Sequence, residues 1–195
     1  VKIYFTAKKL EKTMNDIELT WNETERNEIL KTPVFTVTER TSAGPGGRKG
    51  KYIVNEAPDW VIVIPVSGEN FLMVKQWRHG EKALSIEFPG GVIDKGESPQ
   101  EGAVRELREE TGASAKKLTL LGKMNPNPAL FANHVYVFCA ENLVFSGIQD
   151  LDADECLNYM QIPQSEVIEK IGTAEYPHAL MASALALFMR TDRRR

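Results

Sequence analysis

A short stretch of the chain concentrates carboxylates near two adjacent glycines. Gly90 and Gly91 are followed further along by Glu106, Glu109 and Glu110. On a helix, positions three and four apart lie one above the other, so these glutamates would share one face. Carboxylates at such spacing repel one another unless a cation neutralises them. Because oxygen-only ligands suit a hard divalent ion better than they suit zinc, the stretch predicts a Mg²⁺ or Mn²⁺ site.

Local signals for a helix bracket these glutamates. Ser98 and Glu101 have the spacing of a capping box, and Pro99 stands at the first helical position. Gly112 can adopt the left-handed conformation that ends many helices. We therefore expect a helix from Pro99 to about Glu110.

Other residues of the stretch extend the predicted site. Glu97 comes just before the cap and can reach the same end of the site, and the glycines let a backbone carbonyl approach as an added ligand. Arg105 precedes Glu109 by one helical turn and can pair with it. From the helix alone, a solvated face held by such Glu–Arg pairs explains the pattern equally well.

The whole stretch resembles the Nudix box, which has the form Gly, five residues, Glu, seven residues, Arg-Glu-aliphatic-x-Glu-Glu-x-Gly-aliphatic. The matching positions are Gly91, Glu97, Arg105, Glu106, Leu107, Glu109, Glu110 and Gly112. Ala113 departs mildly, because a larger aliphatic residue is usual there. The resemblance implies an α/β fold, the Nudix α/β/α sandwich with a mixed sheet, and a hydrolase that cleaves a diphosphate linkage in a nucleotide derivative.

The resemblance also implies a role for each residue of the box. It makes Glu106 and Glu110 the principal metal ligands and the carbonyl of Gly90 a backbone ligand. Glu109 binds a further metal ion or orients Arg105, and the glutamate at position 97 supports the metal shell. The implied cofactor is Mg²⁺, or alternatively Mn²⁺, which activates a water for in-line attack on one phosphorus.

Residues outside the box resemble the branch that hydrolyses ADP-ribose and other nucleoside diphosphate sugars. The segment from Gln76 to Arg78 is similar to its Gln-aromatic-Arg strand end, where the arginine faces the substrate, and Glu87 is assigned to the same substrate site. Pro128 lies near where such enzymes carry a proline, with Pro126 as a rival. Alternatively, the arginine forms a surface ion pair and the prolines shape a loop.

The general base is predicted in an acidic loop after the last core strand. Residues 141–155 lack a regular apolar pattern and contain Asp152, Asp154 and Glu155. In the related sugar-nucleotide hydrolases a loop glutamate often prepares the attacking water, and Glu155 is the first choice because its side chain is longer. Two alternatives stay open. The loop is merely solvated, or Glu109 of the box is itself the base.

Apolar runs predict the elements that position this chemistry. Residues 60–66 form a strand buried on both faces, and residues 71–77 and 135–140 form two more. Helices are expected over residues 163–170, closed by Gly172, and over residues 177–189. Together they make a hydrolase domain of residues 58–195.

The first 57 residues are polar and predict a small β-rich lobe. Residues 33–39 and 51–54 are expected to pair as a hairpin around a glycine-rich loop at residues 42–50, and residues 24–30 could form helical turns. The lobe is too small and polar for its own core. By resemblance, it should build a homodimer and cover a nucleotide-sugar substrate.

Composition narrows the remaining possibilities. A formal net charge of -3 argues against nucleic acid as the main partner. No apolar run approaches membrane-spanning length, the N-terminus lacks a signal-peptide core, and two widely spaced cysteines suit a reducing compartment, so the expected location is the cytoplasm. The alternative function within the superfamily is that of a nucleoside triphosphate or RNA 5′-end pyrophosphohydrolase, which usually lacks the N-terminal lobe. The alternative from another class is a non-catalytic Nudix-fold ligand sensor, in which residues of the box are usually replaced.

Overall fold

The first three strands of the described residues form a sheet of their own. The structure is a computed structural model that describes residues 15–153 and 155–192, and the chain divides into two units, residues 1–55 and 56–195. In the first unit, the sheet order is β1 (Asn22–Lys31), β2 (Thr36–Ala43) and β3 (Lys49–Glu56). Gly44 N–H donates to the Arg48 carbonyl across the turn between β2 and β3. The predicted strands and glycine-rich turn are therefore confirmed, although β2 begins at Thr36 rather than Pro33 and the connection is shorter than residues 42–50.

One prediction for this unit was wrong. The sequence left residues 24–30 ambiguous, with helical turns as the suggested structure. They lie within β1, which pairs antiparallel with β2 from Asn22 opposite Ala43 to Lys31 opposite Thr36. Two isolated helical turns are marginal in water, whereas pairing with β2 supplies partners for backbone groups on one side of β1. Among residues 15–55, Thr38 is the only one that is fully buried.

The second unit contains six strands and three α-helices within its described residues. In chain order they are β4 (Trp60–Ser67), β5 (Asn70–Arg78), β6 (Ala83–Glu87), α1 (Pro99–Thr111), β7 (Ala113–Met124), β8 (Val135–Phe145), β9 (Leu157–Pro163), α2 (Gln164–Lys170) and α3 (Ala179–Asp192). The sheet order is β6-β5-β4-β8-β7, and β9 also pairs with β5. Because β4 and β8 are parallel and the other pairs are antiparallel, the sheet is mixed.

Alternating side chains of β4 build two core layers. Val61 and Val63 pack with Leu107 of α1 on one face, whereas Ile62 and Ile64 pack with the buried residues of α3 on the other. A strand between two helical layers is apolar at every position, as the sequence predicted. The result is an α/β/α sandwich in which α1 packs directly on β4.

Several boundaries differ from the predictions. Residues 141–145, expected to be loop, continue β8, because they pair with the start of β7. Pro163, expected in a helix, is the last residue of β9 and precedes α2. Strands β6, β7 and β9 were not predicted. None of the described helices is long and apolar enough to cross a membrane.

Candidate active site

Helix α1 begins and ends where the sequence predicted. Ser98 Oγ accepts a hydrogen bond from Glu101 N–H, and the Glu101 carboxylate accepts one from Ser98 N–H at 2.8 Å. At the other end Gly112 adopts the left-handed conformation with φ 65°. A side chain there would also meet the Ile148 backbone at 2.8 Å. Local signals at both ends thus fix where the helix begins and where it ends.

Two glutamates of α1 point inward and lie against the glycine loop. Glu106 and Glu110 are 7% and 2% exposed. The Glu110 carboxylate accepts a hydrogen bond from Gly90 N–H at 2.9 Å. A Cβ added to Gly91 would lie 2.4 Å from a Glu106 carboxylate oxygen. A side chain at this position would therefore displace the Glu106 carboxylate.

Hydrogen bonds to β4 hold the glycine loop in place. Val63 N–H donates to the Pro89 carbonyl at 2.8 Å, and Val61 N–H donates to the Gly91 carbonyl at 2.9 Å. Gly90, between them, instead directs its N–H to Glu110. A metal-ligand role for the Gly90 carbonyl remains a prediction.

Arg105 gathers the other carboxylates of the box. Its guanidinium donates to Glu97 at 3.0 Å, to Glu106 at 2.9 Å and to Glu109 at 3.0 Å, and it also reaches the Val92 carbonyl at 2.8 Å. The predicted Arg105–Glu109 pair is confirmed. The hydrogen bond with Glu97, followed by those with the other glutamates, raises the pKa of Arg105. Glu97 has a lowered pKa, chiefly because it accepts hydrogen bonds from Arg105.

The two inward glutamates have strongly raised pKa values. Burial raises the pKa of Glu110 to about 8, against the hydrogen bond from Gly90, and the charges of Glu106 and Glu155 raise it further. Burial likewise raises the pKa of Glu106 to about 7, although Arg105 acts to lower it. Burial away from water disfavours two neighbouring anions, and a cation between them would relieve that penalty.

The donor set fits a hard divalent ion, although a complete ligand cluster is not assembled. Over residues 15–153 and 155–192, no three acidic, histidine or cysteine side chains are grouped so that they could hold a metal ion. Glu97 and Glu109 instead contact the Arg105 guanidinium. Two buried carboxylates and a glycine carbonyl still supply only oxygen atoms, as Mg²⁺ prefers. The geometry thus favours Glu106 and Glu110 as ligands and places Glu97 and Glu109 around Arg105.

The acidic loop after β8 is docked onto the C-terminal end of α1. Asp150 N–H donates to the Glu109 carbonyl at 2.9 Å, and the Gln149 side chain donates to the Glu110 carbonyl at 2.6 Å. Glu155 follows in this loop, and its charge raises the pKa of both inward glutamates. The loop thus brings Glu155 to the box.

The other two base candidates have different positions. Asp152 is exposed, and its backbone N–H donates to the Glu155 carboxylate at 3.1 Å. Asp154 lies outside the described residues. The choice between a loop base and Glu109 stays a prediction.

A pocket of about 230 Å³ opens beside the glycine loop. It is lined by Trp60, Val61, Ile62, Arg78, Gly90, Gly91, Val92, Val135, His178, Leu180 and Met181. Arg78 and His178 are its only charged or titratable side chains, and the rest of the lining is apolar or glycine. A few polar groups in an apolar cleft are typical of a small-molecule site.

Arg78 is anchored by a buried partner. Its Nε donates to Glu87 Oε1 at 2.8 Å, and one terminal nitrogen donates to the other carboxylate oxygen. The Glu87 side chain is 0% exposed, whereas that of Arg78 is 41% exposed. Burial acts to raise the pKa of Glu87, but Arg78 outweighs it and the pKa is lowered. Glu87 thus holds the Arg78 guanidinium by one edge, and a phosphate contact by Arg78 remains a prediction.

Pro128 lies at the tip of a turn away from these groups. The turn is closed by Leu130 N–H, which donates to the Asn127 carbonyl at 3.0 Å, and Pro128 is exposed. Phe131, at the end of the turn, packs its ring 6.3 Å from that of Trp60, which lines the pocket. The predicted substrate contact by Pro128 therefore remains a prediction, and Pro126 is half-buried in the same turn.

Comparison with known proteins identifies the family. Residues 57–180, most of the chain, match the NUDIX domain family. The chain belongs to the Nudix family. It is a Nudix hydrolase, and enzymes of this family generally need a divalent metal ion, usually Mg²⁺. The resemblance found in the box is thus confirmed.

Individual relatives agree with this assignment. The Nudix chain is 35% identical over 143 residues to an ADP-ribose pyrophosphatase of Bacillus subtilis (strain 168), covering 72% of this chain and 77% of that protein. It is 28% identical to the ADP compounds hydrolase NudE of Escherichia coli (strain K12), covering 65% of this chain and 68% of that protein. A crystal structure of an ADP compounds hydrolase matches with a TM-score of 0.77 at 24% identity, covering 87% of this chain and 92% of that one, which supports the α/β fold.

One site residue was missed by the sequence analysis. His178 lines the pocket with Arg78, but it lies far along the chain from the box. The sequence around His178 indicates only a helix cap, because the residue follows Pro177 just before a helix. Only the packing of α3 against the sheet brings it to the glycine loop.

Proposed function

We propose that this Nudix hydrolase cleaves the diphosphate linkage of ADP-ribose or a related nucleoside diphosphate sugar, giving a nucleoside monophosphate and a sugar phosphate. The observation that carries the proposal is the pair of buried carboxylates, Glu106 and Glu110, against a glycine loop beside a pocket that contains Arg78. The similarity to an ADP-ribose pyrophosphatase over most of both chains supports this choice of substrate.

The chain's own residues would divide the work as follows. Glu106, Glu110 and the Gly90 carbonyl would hold Mg²⁺, or alternatively Mn²⁺. That ion, when bound, supplies a water of lowered pKa and offsets the negative charge on the phosphoryl oxygens. Arg78, held by Glu87, would bind a phosphate through its free edge. In the reaction, a water oxygen bonds to one phosphorus while the bridging P–O bond breaks, so the two phosphate esters separate.

Glu155 is the proposed general base. Its loop is fixed to α1 by the Asp150 and Gln149 hydrogen bonds, and its carboxylate acts on the same two glutamates that would hold the metal ion. A carboxylate there is suited to remove a proton from a water whose pKa has been lowered. Glu109 is the alternative, but it already contacts Arg105, which favours an orienting role.

We further propose that the N-terminal lobe forms a homodimer and covers the substrate. Apolar side chains such as Ile29, Leu30 and Val34 are more than half exposed in the lobe, and such surface favours burial against a partner. Light scattering should show a dimer, and removal of residues 1–56 should weaken both association and substrate binding. A stable monomer that keeps full activity after the truncation would contradict this role. A cytoplasmic location is part of the proposal, since two widely spaced cysteines suit a reducing compartment.

A panel of substrates tests the proposed function. ADP-ribose, ADP-glucose, dGTP and an RNA with a 5′-triphosphate should be compared at equal concentration with Mg²⁺, and the products identified by chromatography. The proposal expects the highest kcat/KM for a nucleoside diphosphate sugar, with nucleoside monophosphate and sugar phosphate in equal amounts. Preference for dGTP or RNA, with release of pyrophosphate, would replace it with one of the other pyrophosphohydrolase activities.

A further inference from the structure

His178 lies between two neighbouring parts of the proposed substrate site. It lies immediately before α3, and together with Arg78 it lines the pocket beside Gly90 and Gly91. The same two side chains also line a neighbouring open cleft that contains Glu87. A ligand that extends from the glycine loop toward Arg78 would therefore pass the imidazole ring.

Two contacts hold the backbone around His178 against β6 and the segment after it. Ile86 N–H donates to the Glu175 carbonyl at 2.8 Å, three residues before the histidine. Phe88 N–H donates to Met181 Sδ at 3.2 Å, three residues after it. Because residues 86–88 lead directly into the glycine loop, these contacts fix the histidine relative to that loop. Such positioning on packed elements is what a substrate contact requires.

The hydrogen bonding of the ring defines which nitrogen carries the proton. Nδ1 accepts a hydrogen bond from Leu180 N–H at 3.2 Å, so it caps the first turn of α3. An accepting Nδ1 leaves the proton of a neutral ring on Nε2. Burial lowers the pKa of His178; the Glu87 charge opposes this shift and Arg78 adds to it. The ring is therefore a neutral donor through Nε2 rather than a second cation.

The two polar side chains of the pocket thus differ in what they recognise. Arg78 carries a permanent positive charge and suits a phosphate oxygen. A neutral N–H suits a neutral acceptor, and a sugar offers hydroxyl oxygens next to its phosphate. We propose that His178 is a substrate-binding residue whose Nε2–H donates to a sugar hydroxyl, so that it selects for the sugar part of the substrate. This inference rests on the proposed function.

Three variants separate this role from the helix cap. His178→Asn keeps a side-chain oxygen that can cap α3 but does not extend as far as Nε2. His178→Gln extends to the position of Nε2 with an N–H donor and caps poorly. His178→Phe keeps the ring and removes both hydrogen bonds. For ADP-ribose, the Asn and Phe variants should raise KM about tenfold, whereas Gln should stay within about threefold of the unchanged protein.

Inorganic pyrophosphate provides a probe that has the diphosphate but no sugar. Its inhibition constant should stay unchanged in the three His178 variants and rise in Arg78→Ala. Melting temperatures should fall in the Phe and Gln variants, which lose the cap, and not in Asn. Two results would contradict the sugar contact. In the first, KM for ADP-ribose rises in those His178 variants whose melting temperature falls. In the second, the inhibition constant of pyrophosphate rises together with KM.

Calorimetry in the presence of a chelator separates this inference from the proposed function. ADP-ribose binding that weakens in Asn and Phe but not in Gln supports the contact even if turnover is absent, in which case only the proposed reaction fails. Turnover of ADP-ribose with equal binding by all variants overturns the role of His178 and leaves the proposed function intact. A protein that does not bind ADP-ribose at all contradicts both.

Discussion

Glu110 of α1 accepts a hydrogen bond at 2.9 Å from the backbone N–H of Gly90, a residue of the loop that follows β6. This bond joins the two ends of the box directly. Gly91 makes the matching approach to Glu106, whose carboxylate would have to move to make room for a Cβ. The glycine loop and the helix therefore act as one unit, and a change in either should disturb the carboxylates.

Substitution of Gly91 tests this close approach. In Gly91→Ala the new Cβ would lie 2.4 Å from a Glu106 oxygen, so the carboxylate must move. We expect kcat for ADP-ribose to fall about 100-fold, with a weaker apparent affinity for Mg²⁺. Gly80→Ala is the matched control, because a Cβ there meets nothing within 4 Å. Equal activity in both variants would show that Glu106 does not depend on the loop.

The raised pKa values predict how stability depends on pH. Glu110 has a pKa of about 8 in the folded chain against an ordinary 4.5, so the folded state binds more protons between these values. Its contribution to the free energy of unfolding therefore decreases as pH rises from 4.5 toward 8. The free energy of unfolding of Glu110→Gln, minus that of the unchanged protein, should therefore be larger at pH 8 than at pH 5.5. Denaturant titrations with a chelator present measure this difference.

The same linkage predicts the effect of the metal ion. Binding to carboxylates competes with protons, so added Mg²⁺ should raise the melting temperature more at pH 8 than at pH 5.5. In Glu110→Gln this pH-dependent gain should largely disappear. Stability curves of the two proteins that run parallel from pH 5.5 to 8, or a Mg²⁺ effect that is the same at both pH values, would contradict the assigned site.

Variants of Arg78 and Glu87 separate binding from stability. Arg78→Ala leaves the Glu87 carboxylate buried without its partner and should lower the free energy of unfolding by about 1–3 kcal/mol. Adding Glu87→Gln should recover part of that loss. KM for ADP-ribose should stay raised about tenfold in both, and less in Arg78→Lys. A KM that returns to normal in the double variant would make Arg78 purely structural.

Loop variants test the general base. Glu155→Gln should lower kcat about 100-fold while Mg²⁺ and substrate still bind, because a base acts on the chemical step. Asp152→Asn and Asp154→Asn should have smaller effects, and Glu109→Gln should mainly alter the Arg105 cluster. The pH–rate profile should lose its acidic limb only in the variant that removes the base. If all three loop variants keep full activity, the base belongs to the box.

The sequence predicted those parts of the fold that depend on residues close together in the chain. The capping box at Ser98 and the glycine at 112 predicted α1 almost to the residue, and the apolar run of residues 60–66 predicted β4. The Arg105–Glu109 pair followed from helical spacing alone. Each of these features depends on residues close together in the chain.

Features that depend on distant partners were not predictable in the same way. β1 is exposed along its whole length, so neither of its faces needs apolar residues. Its sequence therefore lacks the apolar alternation by which a strand is recognised. β7 contains a bulge between Leu120 and Gly122, which breaks the two-residue period. β9 ends in proline and owes its conformation to β5. The buried state of Glu87 and the position of His178 likewise follow from packing between strands and α3, which no local motif records.

The most direct test is the kcat for ADP-ribose of the unchanged protein, Glu106→Gln and Glu110→Gln at saturating Mg²⁺. Glu169→Gln, on the exposed side of α2, is the control. Both box variants should keep their fold by circular dichroism and lose about 1,000-fold or more in kcat, while the control is unaffected. Chelation should abolish the activity of the unchanged protein, and Mg²⁺ should restore it. Full activity in either box variant, or turnover that survives thorough chelation, would contradict a metal site built on these two glutamates.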